Sequence, residues 1–207
     1  MNKIVIAIDS FKGCLTSEEA GIAVMKGIKT IFPDCEILLF PIADGGEGML
    51  DVLISATQGK YRTLPAHGPL MELIQTQYGI SGDGQTALIE MAAISGLPLV
   101  PEEKRNPMLT TTYGTGELIL DALEQGCRRF IVGIGGSATN DAGLGMLQAL
   151  GFRFLDKRGN LLGTGGKIMS QVASIDTSAV HPALKETRFT IACDVHNPFC
   201  GSDGAAY

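Results

Sequence analysis

Residues 3–8, KIVIAI, form an unbroken apolar run after a single lysine. Runs of this kind mark parallel strands covered on both faces. Residues 9–13 turn the chain, and Thr16 with Glu19 fits a capping box that opens a helix through about residue 31, closed by Pro33. Residues 36–40 make a second apolar strand, followed by the loop PIADGGEG and a helix from residue 49 to about residue 58. Two strand–loop–helix units in succession imply parallel pairing through right-handed crossovers.

The rhythm then changes. Residues 73–80 and 85–91 flank SGDG and read as a β-hairpin with an Asp-Gly turn. A hairpin inside an α/β chain signals a second, mixed-sheet domain, beginning near Pro65. PLVPEEKRNP leads to TTTYGTGELILDALEQG, a helix with Leu118, Ile119 and Leu123 as apolar positions. Residues 130–151, FIVGIGGSATNDAGLGMLQALG, read as strand, glycine loop and helix. FRFLDKRGNLL reads as a second hairpin, a weaker helix follows Gly166, and residues 188–194 make a last strand ending in CDVHNP. The expected fold class is α/β, with a parallel-sheet unit over residues 1–64 and a mixed-sheet α/β unit over residues 65–207. No repeat or low-complexity tract interrupts it.

Composition narrows the partners. The net charge of −6 offers no basic patch, which argues against nucleic acid. Five scattered cysteines, an odd number, argue against a disulfide framework. A run of only five apolar residues precedes Asp9, too short for a signal-peptide core, and no later run approaches a membrane span. A soluble cytoplasmic protein is expected. Glycine, at 27 of 207 residues, clusters in short loops between periodic segments and marks turns that bring backbone close to a ligand.

Gly133, Gly135 and Ala138 fit the G-x-G-x-x-A spacing of a dinucleotide loop, and Asp156 stands near the place of a ribose carboxylate. Yet Ser137, Thr139, Asn140 and Asp141 fill the positions where such a helix needs small apolar residues, and Lys-Arg-Gly after Asp156 reads as a turn. Asn140 or Thr139 could instead cap the helix. GTGGK, ending at Lys167, lacks the first glycine and the Ser/Thr of a Walker A loop. Cys193, His196 and Cys200 supply three candidate zinc ligands with no fourth, and Cys193 reads as a core cysteine. His67 and His181 fall in expected loops with no nucleophile to pair.

Four loops remain, each just after a strand: DSFKG (9–13), ADGGEG (43–48), GGSATND (135–141) and CDVHNP (193–198). Strand carboxyl ends share one edge of an open α/β sheet, and ligands bind there. Glycine backbone, a lysine for phosphate, and carboxylates for Mg²⁺ or a hydroxyl proton are what phosphoryl transfer needs.

These residues resemble the bacterial glycerate kinases of the first type, a family that phosphorylates D-glycerate with ATP. The matching segments are IDSFKGCLTSEEA, PIADGGEG, TALIEMAAISGL, TTYGTGELILDAL, IGGSATNDAGLGMLQALG and CDVHNPFCGSDGAA, in the family's order. Family members usually carry proline at Ile8 and glycine at Ala142. They also continue past GAA into a further C-terminal part, so the resemblance implies a C-terminally truncated chain, expected to be inactive and poorly stable alone. It implies a flavodoxin-like parallel-sheet domain, incomplete here as residues 1–64, with a second α/β domain inserted as residues 65–207.

The implied reaction is ATP- and Mg²⁺-dependent phosphorylation of D-glycerate to 2-phosphoglycerate, with neither nucleic acid nor membrane as partner. Residue chemistry within the matched motifs offers Lys12 to hold phosphate or carboxylate, and Asp44 or Asp194 to accept the hydroxyl proton. Asp9, Ser10, Gly45, Gly46, Gly135, Gly136, Ser137, Thr139, Asn140 and Asn197 are candidates for substrate and nucleotide binding, and Glu47 or Asp141 for the metal. The rival readings are an NAD-dependent oxidoreductase and a non-catalytic small-anion-binding module.

Overall fold

The computed structural model describes residues 2–11 and 14–204. Strand β1 (Lys3–Ile8) pairs in parallel with β2 (Glu36–Pro41), in register from Lys3 opposite Glu36 to Ile8 opposite Pro41. Helix α1 (Ser17–Ile31) makes the crossover, and its capping box is as the sequence requires: Thr16 Oγ1 accepts from Glu19 N while Glu19 accepts from Thr16 N. Gly21 lies against Leu39, where an added Cβ would collide, so the helix packs closely on β2. Burial of both strand faces is not met. Ile6 is buried, but Val5 is 58% exposed and Phe40 52% exposed. Among the described residues the two strands pair only with each other, and α1 packs against both.

The larger sheet has five strands: β3 (Lys60–His67), β4 (Leu73–Ile80), β5 (Thr86–Glu90), β6 (Arg129–Gly133) and β9 (Arg188–Ala192). β3 and β4 are antiparallel, as are β4 and β5, while β5, β6 and β9 run parallel. Asp83 shapes the expected β4–β5 turn by accepting from Gln85 N at 3.0 Å, and Gly84 takes φ +70°. β3 runs through residues 64 and 65, so the larger sheet starts upstream of Pro65, at Lys60. Sequence reading missed this strand because LPAH breaks its alternation. His67, expected in a loop, closes β3 and meets Glu117 at 2.8 Å.

Both faces of β5 are covered. Leu88 joins Leu50 and Ile54 of α2 (Met49–Thr57) on one face. Ala87 and Ile89 join Leu118, Ile119 and Leu123 of α4 (Tyr113–Glu124) on the other. α3 (Ala92–Ser95) follows β5 directly, contributing Ile94 to the same core. α5 (Leu144–Ala149) follows β6. The segment FRFLDKRGNLL folds back on itself as a tight hairpin, with Leu162 N donating to Phe154 O at 2.9 Å, Asp156 N to Asn160 O at 3.0 Å and a bridge from Leu155 to Leu161; β7 (Arg153–Leu155) also pairs with β8 (Ser174–Asp176). The weak helix after Gly166 is a 3-10 turn, Gly166–Gln171. Cys193 is exposed and not core, because it follows β9, the edge strand of its sheet, whose Phe189 and Ile191 are themselves exposed. Among the described residues, no helix is long and apolar enough to cross a membrane.

Candidate active site

Glycines bring three of the expected loops together. Gly135 N donates to Gly45 O at 3.3 Å, and a Cβ on Gly135 would lie 2.8 Å from Gly46 Cα. A Cβ on Gly45, whose φ is +92°, would lie 2.6 Å from Ala192 O at the end of β9. Side chains at these positions would push the loops apart, so ADGGEG, GGSATND and the lead into CDVHNP abut only as glycine backbones. Asp44 shapes its own loop by accepting from Gly46 N at 3.0 Å.

The first loop joins from the parallel pair. Ser17 Oγ donates to Ile8 O at 2.5 Å and accepts from Ile42 N at 3.1 Å, so one hydroxyl ties the ends of β1 and β2 to the start of α1. Asp9 accepts from Ser10 N at 2.6 Å, and Asp9, Ser10 and Glu47 line one cleft of about 850 Å³. Lys12 lies outside the described residues. Asp194 and Asn197 are exposed beyond β9, with Asn197 Nδ2 donating to Asp203 O at 3.0 Å.

The loop after β6 is rigidly built. Gly96 and Ser137 form a bridge in which Leu97 N donates to Gly136 O and Ala138 N to Ser95 O, at 2.9 and 2.8 Å. Ser137 Oγ and Thr139 Oγ1 are 2.6 Å apart. Asn140 is half-buried, its backbone beside Gly166. Gly143 and not Asn140 or Thr139 is the N-cap of α5, and Asp141 takes the free N–H of Gly145 in its first turn. The Asp141 carboxylate, 1% exposed, accepts from Thr112 N, Gly143 N and Gly145 N at 2.9, 3.0 and 3.2 Å, and from the hydroxyls of Thr111 and Thr112. Five donors reach this carboxylate, so Asp141 clamps the start of α5 to that of α4.

Glu90 escaped the sequence reading. It ends β5, is nearly buried, and accepts from Leu50 N at 3.1 Å beneath the start of α2. Burial pushes its carboxyl up from the ordinary range, the bond from Leu50 N works against this, and the Asp51 and Glu47 charges add to the rise. The available signal was a lone carboxylate closing an otherwise apolar strand. The cleft above it is acidic: Asp9, Glu18, Glu19, Glu47, Asp51 and Glu90 line it, with no lysine or arginine among the described lining residues.

Two alternatives lose their geometry. α5 begins at Leu144, well past Ala138, so the G-x-G-x-x-A residues do not open a helix as a dinucleotide loop must. Asp156 is a turn residue, accepting from Arg158 N at 2.7 Å and Asn160 N at 2.9 Å. Among the described residues no three His, Cys, Asp or Glu side chains gather as a metal cage, Cys193, His196 and Cys200 included.

Glycine loops carrying hydroxyl and carboxylate groups gather at the carboxyl ends of parallel strands, the edge where open α/β sheets place small-ligand sites. The chain belongs to the glycerate kinase family, whose model matches residues 4–207. It is 53% identical over 204 residues to glycerate 2-kinase of Escherichia coli (strain K12), a match spanning 99% of this chain and 54% of that protein. It is 52% identical over 203 residues to glycerate kinase of Bacillus subtilis (strain 168), spanning 98% of this chain and 53% of that one. A crystal structure of a protein provisionally described as glycerate kinase 2 from Salmonella typhimurium LT2 superposes with a TM-score of 0.87 at 47% identity, over 99% of this chain and 55% of the other. The chain thus spans about half the length of the relatives it matches.

Proposed function

We propose that the protein carrying this chain transfers the γ-phosphoryl group of ATP to the 2-hydroxyl of D-glycerate, yielding 2-phosphoglycerate, ADP and a proton. The observation that carries the reading is the abutment of the ADGGEG and GGSATND loops through Gly45 and Gly135, with Glu47 lining the acidic cleft alongside. The hydroxyl oxygen attacks phosphorus as the bond to ADP breaks, and its proton passes to Asp44 or Asp194. Lys12 and the N–H groups of residues 135–140 hold phosphate or carboxylate.

Mg²⁺ suits this lining. It binds through one or two carboxylates plus substrate phosphates and needs no preformed protein cage. Glu47 would hold it, and it would neutralise charge on the transferring phosphoryl group. Without such a cation, six carboxylates around the cleft would repel a polyphosphate. The five free cysteines are in keeping with a reducing cytoplasm.

The test is a coupled ADP assay on the complete gene product with Mg²⁺. ATP consumption should depend on D-glycerate and not on L-lactate, and a phosphorus NMR spectrum should show the 2-isomer. ATP binding without glycerate-dependent turnover would favour the anion-binding module and remove the kinase reading.

A further inference from the structure

A second pocket lies beside the GGSATND loop, and its character is opposite to that of the cleft. It measures about 210 Å³ against 850 Å³, a quarter of the volume. That is below the roughly 300 Å³ at which pockets for drug-sized ligands begin. Leu97, Val100, Asn106, Ser137 and Thr139 contribute to its wall, and Arg105 is the one charged residue in it. Arg105 Nε donates to Val100 O at 3.2 Å, which fixes the root of the guanidinium. Its Nη groups meet no protein acceptor among the described residues. The opposite wall is fixed as well, because Thr110 Oγ1 donates to Ala138 O at 2.8 Å in addition to the bridge at Gly96.

We propose that Arg105, with the Ser137 and Thr139 hydroxyls, forms a subsite for a small oxyanion, and that its occupant is the carboxylate of the acceptor substrate. This rests on the kinase reading and adds where the acceptor sits. A planar guanidinium fork matches a carboxylate in two parallel hydrogen bonds. The acidic cleft repels the same group, so the two pockets divide the work: cation and polyphosphate in one, carboxylate in the other. The bond from Gly135 N to Gly45 O ties the loop bearing Ser137 to the loop bearing Asp44 and Glu47, so an acceptor held at Ser137 would face a loop joined to that one.

Steady-state kinetics of the complete gene product and its Arg105→Gln variant test this. The KM for D-glycerate should rise at least about tenfold, as expected for loss of a charge-assisted pair, while the KM for ATP stays within about threefold. Arg105→Lys should recover only part of the loss, since a point charge cannot supply the fork. Thr139→Val, which keeps shape, should also raise the glycerate KM and stands in should Arg105→Gln fail to fold. Calorimetric titration separates the possible oxyanions: D-glycerate should bind in an Arg105-dependent way, and glycerol, which lacks the carboxylate, should not. An unchanged glycerate KM in Arg105→Gln overturns the subsite and leaves the kinase reading standing. A rise confined to the ATP KM, or Arg105-dependent binding of inorganic phosphate without glycerate, also overturns it, by assigning the pocket to a phosphate. Arg105-dependent glycerate binding with no turnover in the wild type would keep the subsite and remove the kinase reading.

Discussion

β1, KIVIAI, is more apolar than β5, TALIE, yet β1 is the more exposed strand. β5 lies between β4 and β6, with α2 against one face and α4 against the other, and its Leu88 and Ile89 are 0% exposed. Among the described residues β1 has a single strand neighbour, and α1 packs on β1, whose Ile6 is buried while Val5 is exposed. Apolarity states that a strand requires cover, and neighbours decide whether it receives any. The two regions also differ in use. The well-covered sheet holds the rigid loop of Ser137, whereas the half-covered pair delivers Asp9 and Ser10 to the acidic cleft.

The largest effect should separate the strands directly. Ile89→Ala leaves a cavity in a closed core and should cost about 3 kcal/mol. Val5→Ala should cost less than about 1 kcal/mol, since much of that side chain is already in water. Urea unfolding of the two variants measures both, and equal losses would erase the contrast between the regions.

Next in size is a catalytic effect in the poorly covered region. Lys12→Met in the complete gene product should lower kcat/KM by about 10²-fold or more with the unfolding midpoint unchanged, as for a lost charge on a developing anion. Near-wild-type kinetics would show that the N-terminal loop only frames the cleft.

Glu90 joins the regions and makes stability depend on pH. Because its folded pKa is raised by burial, its contribution to stability is fully present below its ordinary 4.5 and is lost as pH rises through the folded value. Asp121 behaves oppositely. The bond from Arg62 depresses its pKa, so its contribution is present above 3.8 and lost only as pH falls through its lower folded value. The windows are separate. Wild type should therefore gain stability relative to Glu90→Gln as pH is lowered from about 7 toward 4.5, and parallel curves would show that Glu90 is solvated from the cleft.

What the sequence made legible follows the same division. Local codes were readable: the Thr16–Glu19 box and the Asp83-Gly84 turn depend on neighbours in the chain. Long-range choices were not. The clamp role of Asp141 was not legible because Thr111 and Thr112, which donate to it, stand about thirty positions upstream. Glu90 and Arg105 were passed over because a strand end and a charged loop carry no periodic signal. β7 also pairs with β8, whose residues 174–176 stand well downstream in the chain, beyond any local signal.

The smallest effect probes strain in the well-covered region. Ala142 has φ +52°, the left-handed conformation that alanine adopts at a cost of about 1–2 kcal/mol. The reason lies on either side of it, where Asp141 grips Gly143 N and Gly145 N and so bends the chain back over its own carboxylate. Glycine usually stands here in the family that the sequence resembles. Ala142→Gly removes the strain but loosens the unfolded chain by about 0.5–1 kcal/mol, so a net gain of about 0.5 kcal/mol is expected. Ala142→Val should move the other way by more than about 1 kcal/mol, since a β-branched side chain suits that conformation worst. Denaturation midpoints of the two variants check the pair. A loss in Ala142→Gly would mean that the Asp141 clamp yields to the backbone, and that tight cover in this sheet does not extend to the loop it supports.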